Sequence, residues 1–159
     1  DSFKQALLCN GWTLCGNEGL KVTLDAKKYG YTGGEIALIL QNNNIVCEFH
    51  DPDYVVLMLT PDNGNLDHLQ KVLLSIPQRE QLTSATPQVT HPQKAMSIRE
   101  ATLAPCKTVD VSQACGMVLA DLSVGCPPAV PIVVCGEKID NEAIKCFHYY
   151  GVNKVTVVK

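Results

Sequence analysis

The chain is 159 residues long, 46% hydrophobic and 18% charged, with a formal net charge of −3. That apolar share supports a packed core, in one domain or two small ones, and excludes a disordered tail. No Lys/Arg-rich block supplies the basic face that nucleic-acid binding needs, and no apolar run reaches the length that spans a bilayer.

In chain order, Ser2–Cys9 is expected as a short helix with Phe3, Ala6 and Leu7 on one side, broken by Gly11, Gly16 and Gly19. Lys21–Asp25 alternates as a strand does. Gly33-Gly34 is too short for a phosphate loop and reads as the turn into a helix over 35–41, with Ile36, Ile39 and Leu40 inward. Asn42, Asn43 and Asn44 end it. Strands follow over 45–49 and 54–60, joined by Asp51-Pro52-Asp53, which predicts an antiparallel pair. Residues 61–65 then lead into a helix with the stripe Leu66, Leu69, Leu73 and Ile76. The expected fold class is α+β, a small and mostly antiparallel sheet with helices on one side, followed by a second small α+β domain.

Residues 77–95 are rich in Gln, Thr, Ser and Pro and are expected to link a domain over 1–76 to one over 96–159. Ser97 with Glu100 fits a capping box. After Pro105 a helix is expected from the stripe Val111, Ala114, Cys115, Val118, Leu119 and Leu122, capped by Asp110 or Ser112. Pro127, Pro128 and Pro131 fit neither a helix nor a central strand. Residues 132–134 read as a short buried strand, with Gly136 turning to present Glu137. This stretch is either a pocket wall or only a stiff crossover. A last helix over 140–150, stopped by Gly151, precedes a terminal strand over 155–158.

The eight cysteines contain no Cys-x-x-Cys pair, and the four histidines have no His-x-x-x-His spacing, so no metal site is expected. With Cys47 in a strand and Cys115 on a helical stripe, the thiols read as small buried hydrophobes, reduced and cytoplasmic. Glu48 points to solvent or lines a cleft, Asp51 and Asp53 serve a turn, and Thr60 faces a site or caps the following turn. Glu137 has apolar flanks and would take a cationic partner. The first residue is Asp, with no signal peptide after it, and the chain reads as a fragment or a processed chain.

Two sets of residues resemble a known family. Lys21-Val22-Thr23, Gly30-Tyr31-Thr32-Gly33-Gly34-Glu35, Ile45-x-x-Glu48 and Tyr54-Val55-Val56-Leu57 ending in Thr60 resemble the small domain of fold-type-I pyridoxal-phosphate enzymes. Ser97-Ile98-Arg99-Glu100-Ala101, the run 109–116, Cys126-Pro127-Pro128-Ala129-Val130-Pro131, Gly136-Glu137 and the closing segment 151–158 resemble the C-terminal domain of the ornithine/lysine/arginine decarboxylases. Against that pattern, Cys126 stands for a tyrosine, Ala129-Val130 for Gly-Ile, Cys135 for a proline and Met117 for an arginine. These departures bear on the substrate rather than the fold.

The resemblance implies the C-terminal portion of a pyridoxal-phosphate-dependent decarboxylase of basic amino acids, completing the active-site entrance and a homodimer. It implies Glu137, Cys126, Pro127 and Pro128 as pocket wall, with Thr60 behind them. The cofactor and its lysine would belong to a large domain of the same protein, because no His-Lys dipeptide occurs here. The chain alone would hold no catalytic residue and no cofactor. The rival readings are a non-catalytic assembly or ligand-binding module of the same fold, and another fold-type-I lyase or aminotransferase.

Overall fold

The computed structural model describes residues 2–60, 66–121 and 131–159. The chain divides into two compact units, Asp1–Ser84 and Ala85–Lys159.

The first unit opens with α1 (Ser2–Cys9), burying Phe3 and Leu7. It continues through β1 (Leu14–Cys15), β2 (Lys21–Asp25), α2 (Gly33–Asn42), β3 (Phe49–His50), β4 (Tyr54–Met58) and α3 (Asp67–Ser75). The sheet order is β1-β2-β4-β3, antiparallel throughout. In β2 and β4 the register sets Val22 opposite Leu57 and Leu24 opposite Val55. All four are buried and join Phe3, Leu7, Ile36, Leu40, Val72 and Leu73 in one core. Trp12 stacks on Tyr29 with ring centroids 3.7 Å apart, and its indole N–H donates to Leu73 O at 3.3 Å.

Three details differ from the sequence reading. A short strand, β1, lies in the glycine-broken stretch. The strand expected over 45–49 is confined to Phe49–His50, which leaves Cys47 half-buried outside it and Glu48 exposed. The strand expected to run on to Thr60 ends at Met58. The Asp51 turn is held by its own carboxylate, whose Oδ1 accepts from the amides of Asp53 at 2.8 Å and Tyr54 at 2.6 Å.

The second unit contains α4 (Ile98–Leu103), β5 (Cys106–Asp110), α5 (Asn141–Tyr149) and β6 (Lys154–Val158). The helix expected after Pro105 does not form. In its place β5 pairs antiparallel with β6, with Thr108 opposite Thr156. A single 3-10 turn follows at Val111–Gln113, and Gly116 then sits at φ +77. Val118 and Leu119 bridge to Lys138 and Val157. The stripe was real burial in the wrong period: Val111, Ala114 and Leu119 are buried, but Cys115 is exposed. Leu122 lies outside the described residues. β-Branched Thr108 and Val109 fit a pleated ladder better than a helix. The ladder could form because a partner strand lies some 45 residues further on.

The segment read as a linker is hydrogen-bonded over much of its length. Within the first unit Arg79 N donates to Tyr29 O and Leu82 N to Lys27 O, and the Arg79 guanidinium lies 4.1 Å from the Tyr31 ring centroid. Within the second, Thr90 Oγ1 donates to Asp140 Oδ2 at 3.1 Å and Lys138 N to Gln93 O at 2.9 Å.

Two capping boxes start α2 and α4, Thr32 with Glu35 and Ser97 with Glu100. The Thr32 amide and hydroxyl hold the Glu35 carboxyl below its ordinary 4.5, and Arg79 adds to this. The Ser97 hydroxyl and amide do the same for Glu100. An acid lowered only in the folded state stabilises above its unfolded pKa, and that contribution fades as pH falls through the folded one. A double variant, Glu35→Gln with Glu100→Gln, is therefore expected to lose less stability than the parent between about pH 6 and about pH 3.5. Urea midpoints at the two pH values check this, and equal losses would exclude it.

Candidate functional site

The described part of the proline-rich stretch runs from Pro131 to the N-cap of α5. Residues 132 and 133 form a bend and 134 is irregular, in place of the expected strand. Ile132 and Val133 are both buried at adjacent positions, whereas a half-covered strand would bury alternate ones. Gly136 does turn, at φ +92, and a Cβ there would lie 2.6 Å from Met96 O. Its carbonyl accepts from the amides of Ala95 at 2.9 Å and Met96 at 3.1 Å, while its own N–H donates to Leu119 O at 2.8 Å. The turn is thus clamped by two other segments of its unit.

Cys135 is 5% exposed. Its thiol lies 3.6 Å from Thr102 Oγ1 and donates to Ala120 O at 3.5 Å. Here the thiol acts as a small, hydrogen-bonded core group.

Glu137 is half-buried. Its Oε2 accepts from Val134 N at 2.8 Å, and its amide donates to Val134 O at 3.0 Å. The carboxylate therefore closes the Gly136 turn, a role the sequence reading did not foresee. Glu137 O accepts from Leu119 N at 2.9 Å, and the residue bridges to Lys94. A backbone this heavily bonded fixes the side chain in place.

Cys126, Pro127 and Pro128 lie outside the described residues. Thr60 is exposed just beyond β4 and belongs to the first unit, whereas Glu137 belongs to the second. Among the described residues no group of three His, Cys, Asp or Glu side chains is arranged to hold a metal ion, and no helix is long and apolar enough to cross a membrane. The seven described cysteines are free thiols.

Among the described residues the most enclosed ion pair lies elsewhere, in the first unit. Lys27 Nζ and Asp53 Oδ1 are 2.5 Å apart, with side chains 11% and 4% exposed. Lys27 also donates to Ser84 O at 2.7 Å. The sequence reading assigned Asp53 to a turn and took no account of Lys27. An Asp placed immediately before the apolar strand Tyr54–Met58 was the available signal.

Two α+β units of this kind match solved decarboxylases. The constitutive lysine decarboxylase of E. coli superposes with a TM-score of 0.61 at 16% identity, over 89% of this chain and 32% of that one. The Francisella novicida lysine decarboxylase LdcF gives 0.64 at 12% identity, over 92% and 32%. At those identities the likeness shows the fold. An arginine decarboxylase of Bacillus subtilis is 26% identical over 155 residues, 88% of this chain and 32% of the relative. Residues 76–156, just over half of the chain, match the family described as Orn/Lys/Arg decarboxylase, C-terminal domain. The chain belongs to that family, as the motifs around Ser97, Pro127 and Gly136 implied. It spans about a third of the length of these relatives.

Proposed function

We propose that this chain is the C-terminal portion of a pyridoxal-phosphate-dependent decarboxylase of basic amino acids, working in the cytoplasm, and that it completes the active-site entrance and a homodimer. In this reading 1–76 is the small domain, 77–95 the linker and 96–159 the C-terminal domain. The observation that carries it is the family match over 76–156. The fold likeness to about a third of two lysine decarboxylase chains supports it.

Covalent attachment of pyridoxal phosphate needs a lysine amine free to reach the cofactor, and the His-Lys dipeptide that the family resemblance leads one to expect is absent from this chain. Lys27, the lysine drawn into the protein, is held by Asp53 and Ser84. In this reading the cofactor and its lysine belong to a large domain of the same protein, and the chain alone is inactive. Borohydride reduction with pyridoxal phosphate should fix the cofactor to a lysine of the whole protein that lies outside this chain. A specific adduct on a lysine of this chain would overturn the assignment.

Glu137, Cys126, Pro127 and Pro128, with Thr60, are proposed as pocket wall. The substrate's distal amine would meet Glu137 through Oε1, because Oε2 is committed to the turn. Glu137→Gln keeps an oxygen for Val134 N and removes the charge. In the whole enzyme it should raise KM for a diamino acid about tenfold, the scale of one charge-assisted hydrogen bond. An unchanged kcat/KM would take Glu137 out of the site.

A further inference from the structure

We infer that the first unit carries, around Leu38 and Val46, a docking surface for the part of the same polypeptide that lies outside this chain. The inference rests on the reading above, that the chain is one portion of a larger protein. Two hollows open on this unit, of about 490 and about 300 Å³, and both have Ile45 and Val46 in their walls. The larger follows α2 past Ala37, Leu38 and Gln41. The smaller runs by Met58 at the end of β4 and Leu69 of α3.

The side chains at these hollows are exposed without need. Val46 is 87% exposed, Leu38 56% and Met58 47%. The core of the unit is filled without them, by Ile36 and Leu40 from the same helix and Val55 and Leu57 from the same strand. Among the described residues that line either hollow none is Asp, Glu, Lys or Arg. An aliphatic ridge beside the larger, mainly apolar hollow suits a permanent neighbour, because obligate interfaces are more hydrophobic than transient ones, and the smaller hollow adds the polar Asn44 and His68 at its edge. The relatives are about three times as long as this chain, which covers 32% of each. A neighbour in the same polypeptide is present whenever this unit is, so the patch would never face water.

The test is thiol labelling of Leu38→Cys in the whole protein, read peptide by peptide to separate it from the native cysteines. The rate is compared with that of the same variant unfolded in urea, and Met58→Cys, at the second hollow, is a parallel probe. The expected result is labelling slowed by about tenfold or more at both positions, unchanged when the protein is diluted from about 50 to about 0.5 µM. Slowing of less than tenfold overturns the inference. Slowing that disappears on dilution overturns the occupant, since a second copy would then cover the patch. Borohydride fixation of pyridoxal phosphate in the same preparation separates the two readings. A protein that takes the cofactor but labels freely sinks this inference alone. One that is protected but takes no cofactor sinks only the functional reading.

Discussion

Gly33→Ala is expected to unfold much of the first unit at ordinary temperature. An alanine Cβ at this position would lie 2.2 Å from Tyr54 O and 2.3 Å from Asp51 O. Both are backbone atoms of the turn between β3 and β4, and neither is free to retreat. Asp51 Oδ1 binds the amides of Asp53 and Tyr54, and Asp51 N donates to Tyr54 O at 3.1 Å. Gly33 N donates to Pro52 O at 3.3 Å, which holds the start of α2 on the same turn. Overpacking against fixed backbone should cost about 3 kcal/mol or more. For a unit of this size that lowers Tm by about 12 °C or more. The neighbouring Gly34 is the control, because a Cβ there meets nothing nearer than 4.0 Å. Gly34→Ala should be neutral or stabilise by up to about 1 kcal/mol, through helix propensity and a less flexible unfolded chain. Thermal unfolding of the pair decides the matter, and a Gly33→Ala as mild as Gly34→Ala would refute the close approach.

The second large effect is expected at Lys27. Lys27→Met leaves the Asp53 carboxylate without its cation at a site 4% exposed, and removes the bond to Ser84 O that holds the segment after α3. Breaking a buried pair from one side costs about 3 to 5 kcal/mol. The asymmetry of such pairs gives the sharper test. Replacing both partners with apolar residues, Lys27→Met with Asp53→Leu, should recover more than half of the loss, because desolvation of the lone charge is the larger part of it. Urea unfolding of the two single variants and the double variant measures the coupling. Additive losses would mean that the pair contributes no more than two independent surface charges.

Much of the local structure was legible because its signals are local. The Ser97 and Glu100 box, the last helix before Gly151 and the alternation of Lys21–Asp25 each rest on local signals, and each forms as read, with Asp140 as the N-cap of α5 rather than its first residue. The candidate site was legible only in part. Gly136 as a turn follows from its neighbours, but the carboxylate of Glu137 bonding back to Val134 depends on a turn geometry that no spacing rule encodes.

The failure over 106–121 is the instructive one. Its apolar spacing of three and four satisfies a helix, yet the stretch is a strand, a 3-10 turn and two bridges. Helix periodicity is tested against residues four positions away. A β ladder is tested against a partner, and here that partner is β6, far along the chain. The same distance hides Gly33, which looked like turn punctuation until the chain brought Tyr54 and Asp51 against it, and Lys27, which carried no local signal of its pairing with Asp53.

What the sequence determined alone was therefore the five helices that form among the described residues, though not the absence of a sixth, the α+β class and, through the motifs around Ser97, Pro127 and Gly136, the decarboxylase family. Tertiary structure alone decided which apolar run became a strand, which glycine could not bear a side chain and which lysine was buried. Each of these depends on contact between residues distant in the chain, and a backbone carbonyl or a buried carboxylate acts on a side chain only once folding has brought it within a few ångströms.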